Sequence, residues 1–138
     1  KNICNNFKPD ILQCPYNVID RRLEENKFLQ FLKQNKIEVH VRSIFLQGLL
    51  VIPPSKLPRK FLKWKKKFQI FSDHMSKNKL SSLNGCINFV QNNKNIDKIL
   101  IGIDNISHLK EIVNVKSKKI KLPNIYIRNQ KLINPSKW

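Results

Sequence analysis

Residues 37–50 read I-E-V-H-V-R-S-I-F-L-Q-G-L-L, and this stretch decides the fold. Ile37, Val39 and Val41 alternate with Glu38, His40 and Arg42, which is the two-residue period of a strand with one apolar and one polar face. Strands of parallel α/β sheets are normally covered on both faces and read as continuous apolar runs. A polar face on such a strand therefore needs a reason. In a closed parallel barrel the reason is that the inward face, at its C-terminal end, lines a site.

Working outward from this strand, Lys1–Pro9 read as the polar end of an incoming helix or loop, and a first strand is expected at about Ile11–Cys14. Pro15 should halt its hydrogen-bond ladder, with Tyr16–Asp20 turning away from it. Leu23, Phe28, Leu29 and Leu32 mark the apolar face of a helix from Leu23 to Gln34. After the central strand comes a long loop, Ser43–Leu57, kept irregular by Pro53 and Pro54; loops of this length are usually functional or mobile.

From Pro58, apolar residues recur at three- and four-residue steps: Phe61, Trp64, Phe68, Phe71 and Met75. That stripe reads as a face packed on the sheet, with Lys60, Lys63, Lys65, Lys66 and Lys67 on the solvated side. Leu80, Leu83, Ile87 and Val90 outline a shorter helix, and Lys98–Ile103 is apolar enough for a third strand buried on both faces. Asn105 or Ser107 can cap a further helix that turns Ile106, Leu109 and Ile112 inward. Residues 115–138 read as an extended tail packed over the rest. The alternation is that of a parallel α/β protein. Three strands cannot close a barrel, so residues 1–138 read as a single partial domain whose edges need covering.

The formal charge of +18 invites a nucleic-acid or acidic-membrane reading. Only five of the 27 cationic residues are Arg, the side chain that forks onto phosphates and bases, and no aromatic-rich basic motif suited to base stacking is present. A solvated surface produced by a Lys-, Asn- and Ile-rich coding bias is the simpler account. Cys4, Cys14 and Cys86 form no close pair, which favours reduced thiols, and the cysteines and histidines lack metal-ligand spacing. No apolar run approaches the roughly 18 residues of a membrane span, and no charged-then-apolar leader opens the chain. A soluble cytoplasmic protein with no membrane partner is expected. Gly48, Gly85 and Gly102 are too few and too scattered for a G-x-G-x-x-G turn or a P-loop.

Three segments taken together, I-L-Q-C-P-Y-N at 11–17, the central stretch at 37–50 and K-I-L-I-G-I-D-N at 98–105, resemble the second half of an aldo-keto reductase. The wording R-S-I-F-L-Q-G-L-L is similar to one bacterial subgroup of that family. The resemblance runs from Asp10 to about Val113. It implies strands six to eight, with their helices, of a (β/α)8 TIM barrel, whose usual size of about 250 residues exceeds this chain. It also implies NAD(P)H as cofactor, a small-molecule carbonyl substrate and a missing N-terminal half of the barrel.

On this resemblance Gln13 matches the glutamine that holds the nicotinamide carboxamide, a task suited to a side chain that both donates and accepts. A Gln satisfied by neighbouring backbone is the ordinary alternative. Arg42 stands where many members place an aromatic residue stacked on the nicotinamide; a guanidinium can stack too and adds charge, although pairing with a carboxylate of the missing half explains it nearly as well. Ser43 follows as in the family, and Phe45, Leu46, Gln47 and Gly48 fall in the loop that lies along the pyrophosphate. Gly102, Ile103, Asp104 and Asn105 match the turn that meets the adenosine phosphate, and His108 a position often held by Gln. A plain capped helix is the alternative there. Asp104 would repel a 2′-phosphate and accept from a ribose hydroxyl, which favours NAD(H).

The family's catalytic Asp, Tyr, Lys and His belong to its first four strands, and no residue here replaces them. The chain by itself is expected to be inactive. The reading from a different class is a non-catalytic basic module that binds RNA or a protein partner.

Overall fold

The computed structural model describes Cys4 and residues 6–138. The polar stretch expected over Lys1–Pro9 lies partly outside the described residues. Three parallel strands form an open sheet in the order β1 (Ile11–Pro15), β2 (Glu38–Arg42), β3 (Lys98–Ile99). Ile11 stands opposite Glu38 and Pro15 opposite Arg42, while His40 and Val41 meet Lys98 and Ile99. Pro15 thus closes the ladder as its last paired residue rather than stopping it one position earlier.

The pleat sorts this sheet by face. Val39 and Val41 are buried, and with half-buried Leu12, Cys14 and Ile99 they pack against Leu29, Leu32, Ile87 and Val90. The register places Ile11, Gln13, Glu38, Arg42 and Lys98 on the opposite face, where all five are exposed. The alternation in residues 37–42 is therefore the record of a sheet covered by helices on one side.

The covering helices are α1 (Phe28–Gln34) and α3 (Ser82–Gln91); α2 (Lys65–Lys77) lies between them in the chain, and α4 (Ile106–Val113) and α5 (Gln130–Ile133) follow β3. The helix expected over 23–34 is broken. Residues Arg22–Lys27 form a 3-10 segment interrupted at Glu25 (ψ 147°), and Asn26 and Lys27 take left-handed φ of 50° and 54°, so α1 begins only at Phe28. A 3-10 segment, Arg59–Trp64, leads into α2, and the apolar stripe is buried but not against the sheet as expected: Phe61, Phe68, Phe71 and Met75 pack in a second core with Leu46, Leu50, Ile125 and Leu132, contributed by the loop after β2 and by the tail.

Three further expectations are corrected. The third strand pairs only over Lys98–Ile99, because its neighbour β2 ends at Arg42; Leu100 N donates to Val41 O at 2.8 Å, and the ladder stops there. Beyond that point the chain is not buried on both faces: Leu100 is 39% and Ile103 44% exposed. Helix α4 has no buried residue, and Ile106 points out rather than in. The tail is extended only in part, since Asn129 caps α5 and Asn134 caps a 3-10 turn at Pro135–Lys137. That turn sets Trp138 edge-on against Phe61, with ring centroids 4.8 Å apart.

Candidate functional site

The turn out of β2 builds the site. Ser43, Leu46 and Gln47 adopt left-handed φ of 57°, 48° and 52°, and Gly48 follows at 84°. Left-handed backbone costs an L residue roughly 1–2 kcal/mol, and glycine far less. Leu46 is held in that conformation by its side chain, which is 1% exposed in the second core; Leu49 and Leu50 are buried beside it. Apolar anchoring therefore offsets the backbone cost, and the polar positions of the same loop are left facing outward.

They face a cleft of about 910 Å³ beyond the C-terminal ends of the strands. Its size is within the roughly 300–1,000 Å³ of small-molecule sites. Gln13 comes from β1, Arg42 from the end of β2, and Ser43, Phe45, Gln47 and Gly48 from the loop. Gly102, Asp104 and His108 enter from the segment after β3 and from α4. Nine of the twelve residues singled out in the sequence thus share one cavity.

The other three do not line it. Leu46 is a core residue that anchors the loop from behind. Ile103 is exposed to one side of the cleft. Asn105 is the N-cap of α4: its Oδ1 accepts from the backbone N–H of His108 at 2.9 Å, so its polar group serves the helix.

Sequence reasoning missed Val51, Ser81, Ser82, Leu83 and Glu111, which also line the cleft. A signal for the serines existed. Ser81 accepts from Asn84 N and caps α3, and a helix joining parallel strands brings its N-terminus to their C-terminal ends. Glu111 lies one α4 turn beyond His108, a spacing that puts both on one helical face.

Charge is unevenly placed here. Arg42 Nη1 reaches Ser43 Oγ at 3.3 Å, and among the described residues no carboxylate pairs with this guanidinium. The two carboxylates of the cleft, Asp104 and Glu111, stand on the α4 side. Farther down the bare face, His40 and Glu38 are paired at 2.8 Å, with Lys98 3.7 Å from the same carboxylate. The hydrogen bond with His40 first, then Lys98, holds Glu38 below the usual carboxylate range. On the covered face beneath Arg42, burial pushes the Cys14 thiol up to about 11 while the Arg42 charge pulls the other way.

Chemically, this arrangement offers a two-way amide at Gln13, a cation at Arg42 with no carboxylate partner among the described residues, and hydroxyl and backbone groups in the loop. These functions suit holding an elongated polar ligand with an anionic part. Compared with protein-family models and with curated proteins, the chain matches none.

Proposed function

We propose that this chain is the C-terminal, cofactor-binding part of an NAD(P)H-dependent aldo-keto reductase whose whole (β/α)8 barrel reduces an aldehyde, ketone or sugar carbonyl. One observation carries the reading. Nine of the twelve residues that the family resemblance assigns to the cofactor, drawn from three separate segments around positions 13, 42–48 and 102–108, line a single cleft at the C-terminal ends of parallel strands. Sequence similarity alone does not require segments so far apart to converge.

The residues present fit such a cofactor by their chemistry. Gln13 can donate to and accept from a carboxamide, and Arg42, with no acid partner among the described residues, can stack or pair with an anion. The backbone of Gly48 meets nothing within 4 Å of where a Cβ would stand, which leaves room for close approach of a phosphate. When bound, the cofactor supplies a hydride; the protein supplies position and electrostatics. The exposed polar sheet face, with Glu38, His40 and Lys98, fits the interior of a barrel closed by an N-terminal half. That half would bring the catalytic Asp, Tyr, Lys and His.

Titration of NADH and NADPH into the full chain, read by tryptophan fluorescence and calorimetry, tests the reading. Binding should be saturable, and Arg42→Ala should weaken it about tenfold or more, the value of a charge-assisted contact. No binding, or binding indifferent to both Arg42→Ala and Gln13→Ala, defeats it. So does an upstream reading frame that lacks the four catalytic residues on barrel strands.

A further inference from the structure

The positive charge of this protein is segregated, and the segregation marks a second surface. Residues 39–72 and 112–138 contain fifteen of the 27 cationic side chains and none of the nine acidic ones. A coding bias toward lysine adds cations throughout a chain; it does not clear two long stretches of every carboxylate. The two stretches meet in the fold, where Phe61 packs on Trp138 and Lys60 lies over both rings at 5.3 and 5.6 Å.

The densest part of this surface is the run Arg59–Ile70. Arg59, Lys60, Lys63, Lys65 and Lys66 are exposed there, and among the described residues no carboxylate pairs with any of them. Two apolar side chains are exposed in the same run, Leu62 at 46% and Ile70 at 39%. Ile70 is four residues beyond Lys66 on α2, so the two share a helical row. The surface ends at Asp73, whose carboxylate accepts from Gln69 at 2.7 Å. No residue of this run lines the cleft.

We propose that the face formed by Arg59–Ile70 docks the protein on an anionic phospholipid surface, its lysines over the headgroups and Leu62 and Ile70 at the acyl boundary. Lysine ammoniums among exposed apolar side chains are the combination that interfacial helices use, each cation near the surface strengthening binding about fivefold. RNA fits less well. The cations are nearly all Lys rather than Arg, and the Trp64 ring packs against the second core and carries Lys63 Nζ over it at 4.2 Å, which leaves it a poor platform for a base. Leu62 and Ile70 would gain nothing from phosphodiesters. Peripheral docking needs no spanning segment, and among the described residues no helix is long and apolar enough to cross a membrane.

Sedimentation of the full chain with phosphatidylcholine vesicles, and with roughly 7:3 phosphatidylcholine–phosphatidylserine vesicles, tests this at low and high salt. Binding is expected only to the mixed vesicles. Lys65→Gln with Lys66→Gln should weaken it about thirtyfold, whereas Lys27→Gln with Lys36→Gln, an equal loss of charge beside α1, should leave it within about threefold. Leu62→Ser with Ile70→Ser should spare low-salt binding and remove what survives high salt. All six side chains are exposed, so each variant should fold, which circular dichroism checks. No vesicle binding, equal loss from the two lysine pairs, or tighter binding to single-stranded RNA through Lys65 and Lys66 would each overturn the proposal.

Discussion

Asn17 donates from Nδ2 to the backbone carbonyl of Ser43, 3.1 Å away, so the exit of β1 holds the exit of β2. The other end of the same amide, Oδ1, accepts from the backbone N–H groups of Ile19 and Asp20 at 2.9 and 2.8 Å. Asn17 is buried, and the two bonds that its Oδ1 accepts are buried with it, while the bond to Ser43 is partly buried at the edge of the cleft. Ser43 is the first residue of the left-handed turn that leads into the cleft, so this one side chain connects strand pairing to site geometry.

Replacing Asn17 with Ala strands two donors in the interior and leaves the Ser43 carbonyl, at the edge of the cleft, without its partner. At about 1 kcal/mol or more for each unmade buried bond, the expected loss is roughly 3 kcal/mol in urea unfolding. Asn17→Asp keeps the two accepted bonds but sets a carboxylate against the Ser43 carbonyl, and it should also destabilise. A loss well under 1 kcal/mol for Asn17→Ala would show that the turn stands without this side chain.

Gly48 and Gly85 should respond to alanine for different reasons. At Gly48 a Cβ meets nothing within 4 Å, but φ is 84°, so Gly48→Ala costs the backbone preference alone, about 1–2 kcal/mol. At Gly85, within α3, a Cβ would lie 2.2 Å from Met75 Sδ and 3.0 Å from Phe71 Cζ. Gly85→Ala therefore overpacks the contact of α2 with α3, at about 1–3 kcal/mol, offset in part by better helix propensity. A double-mutant cycle separates the two: Met75→Ala should relieve Gly85→Ala and leave the cost of Gly48→Ala unchanged. Equal behaviour of both glycines toward Met75→Ala would refute the distinction.

Asp97 makes the junction of β2 and β3 sensitive to acid. Its Oδ2 accepts from Val39 N at 2.9 Å and its Oδ1 pairs with Lys33, while its own N–H donates to Val39 O at 3.0 Å. The Lys33 hydrogen bond first, then that from Val39, holds its carboxyl below the ordinary value of 3.8. A carboxyl with a depressed folded pKa binds protons more readily in the unfolded chain. Its stabilisation is complete above the unfolded value and fades as pH falls through the folded one. The stability difference between the native protein and Asp97→Asn should thus be constant above about pH 5 and shrink below pH 4. A difference that stays flat down to pH 2 would contradict the assignment.

Much of this architecture was legible because short-range patterns encode it. The alternation at 37–42 gave the two faces of β2, and the three- and four-residue steps from Phe61 to Met75 gave the buried side of α2. What misled was apolar character taken as burial. Lys98–Ile103 looks like a doubly covered strand, yet its ladder depends on how far β2 extends, and β2 stops at Arg42. The break before α1 was equally hidden. Nothing in R-L-E-E-N-K forbids a helix, and the Glu25 carboxylate engages Tyr126 and Arg128 about a hundred residues away. In the site, residues in the loop after β2 were readable, whereas Ser81 and Ser82 had to be inferred from the place of α3 between two parallel strands, which brings its N-terminus to the cleft. Leu46 shows the converse: a loop residue whose side chain belongs to the core.

Cofactor preference follows from the placement of charge in the cleft, on the reading that it holds NAD(P)H. Asp104 lines the cleft on the side of α4, as does Glu111, and Lys110 between them does not. Two carboxylates near the adenosine end repel a 2′-phosphate, while either can accept from a ribose 2′-hydroxyl. The one arginine of the cleft, Arg42, comes from the end of β2, not from the α4 side. NADH should therefore bind the full chain more tightly than NADPH. Asp104→Ser and Glu111→Gln should each raise NADPH affinity about fivefold, as expected for removing a partly solvated like charge, with little change for NADH. Dissociation constants for both nucleotides, measured on the native protein and the two variants, decide it. A native preference for NADPH that neither substitution alters would place the phosphate elsewhere and end this account of specificity.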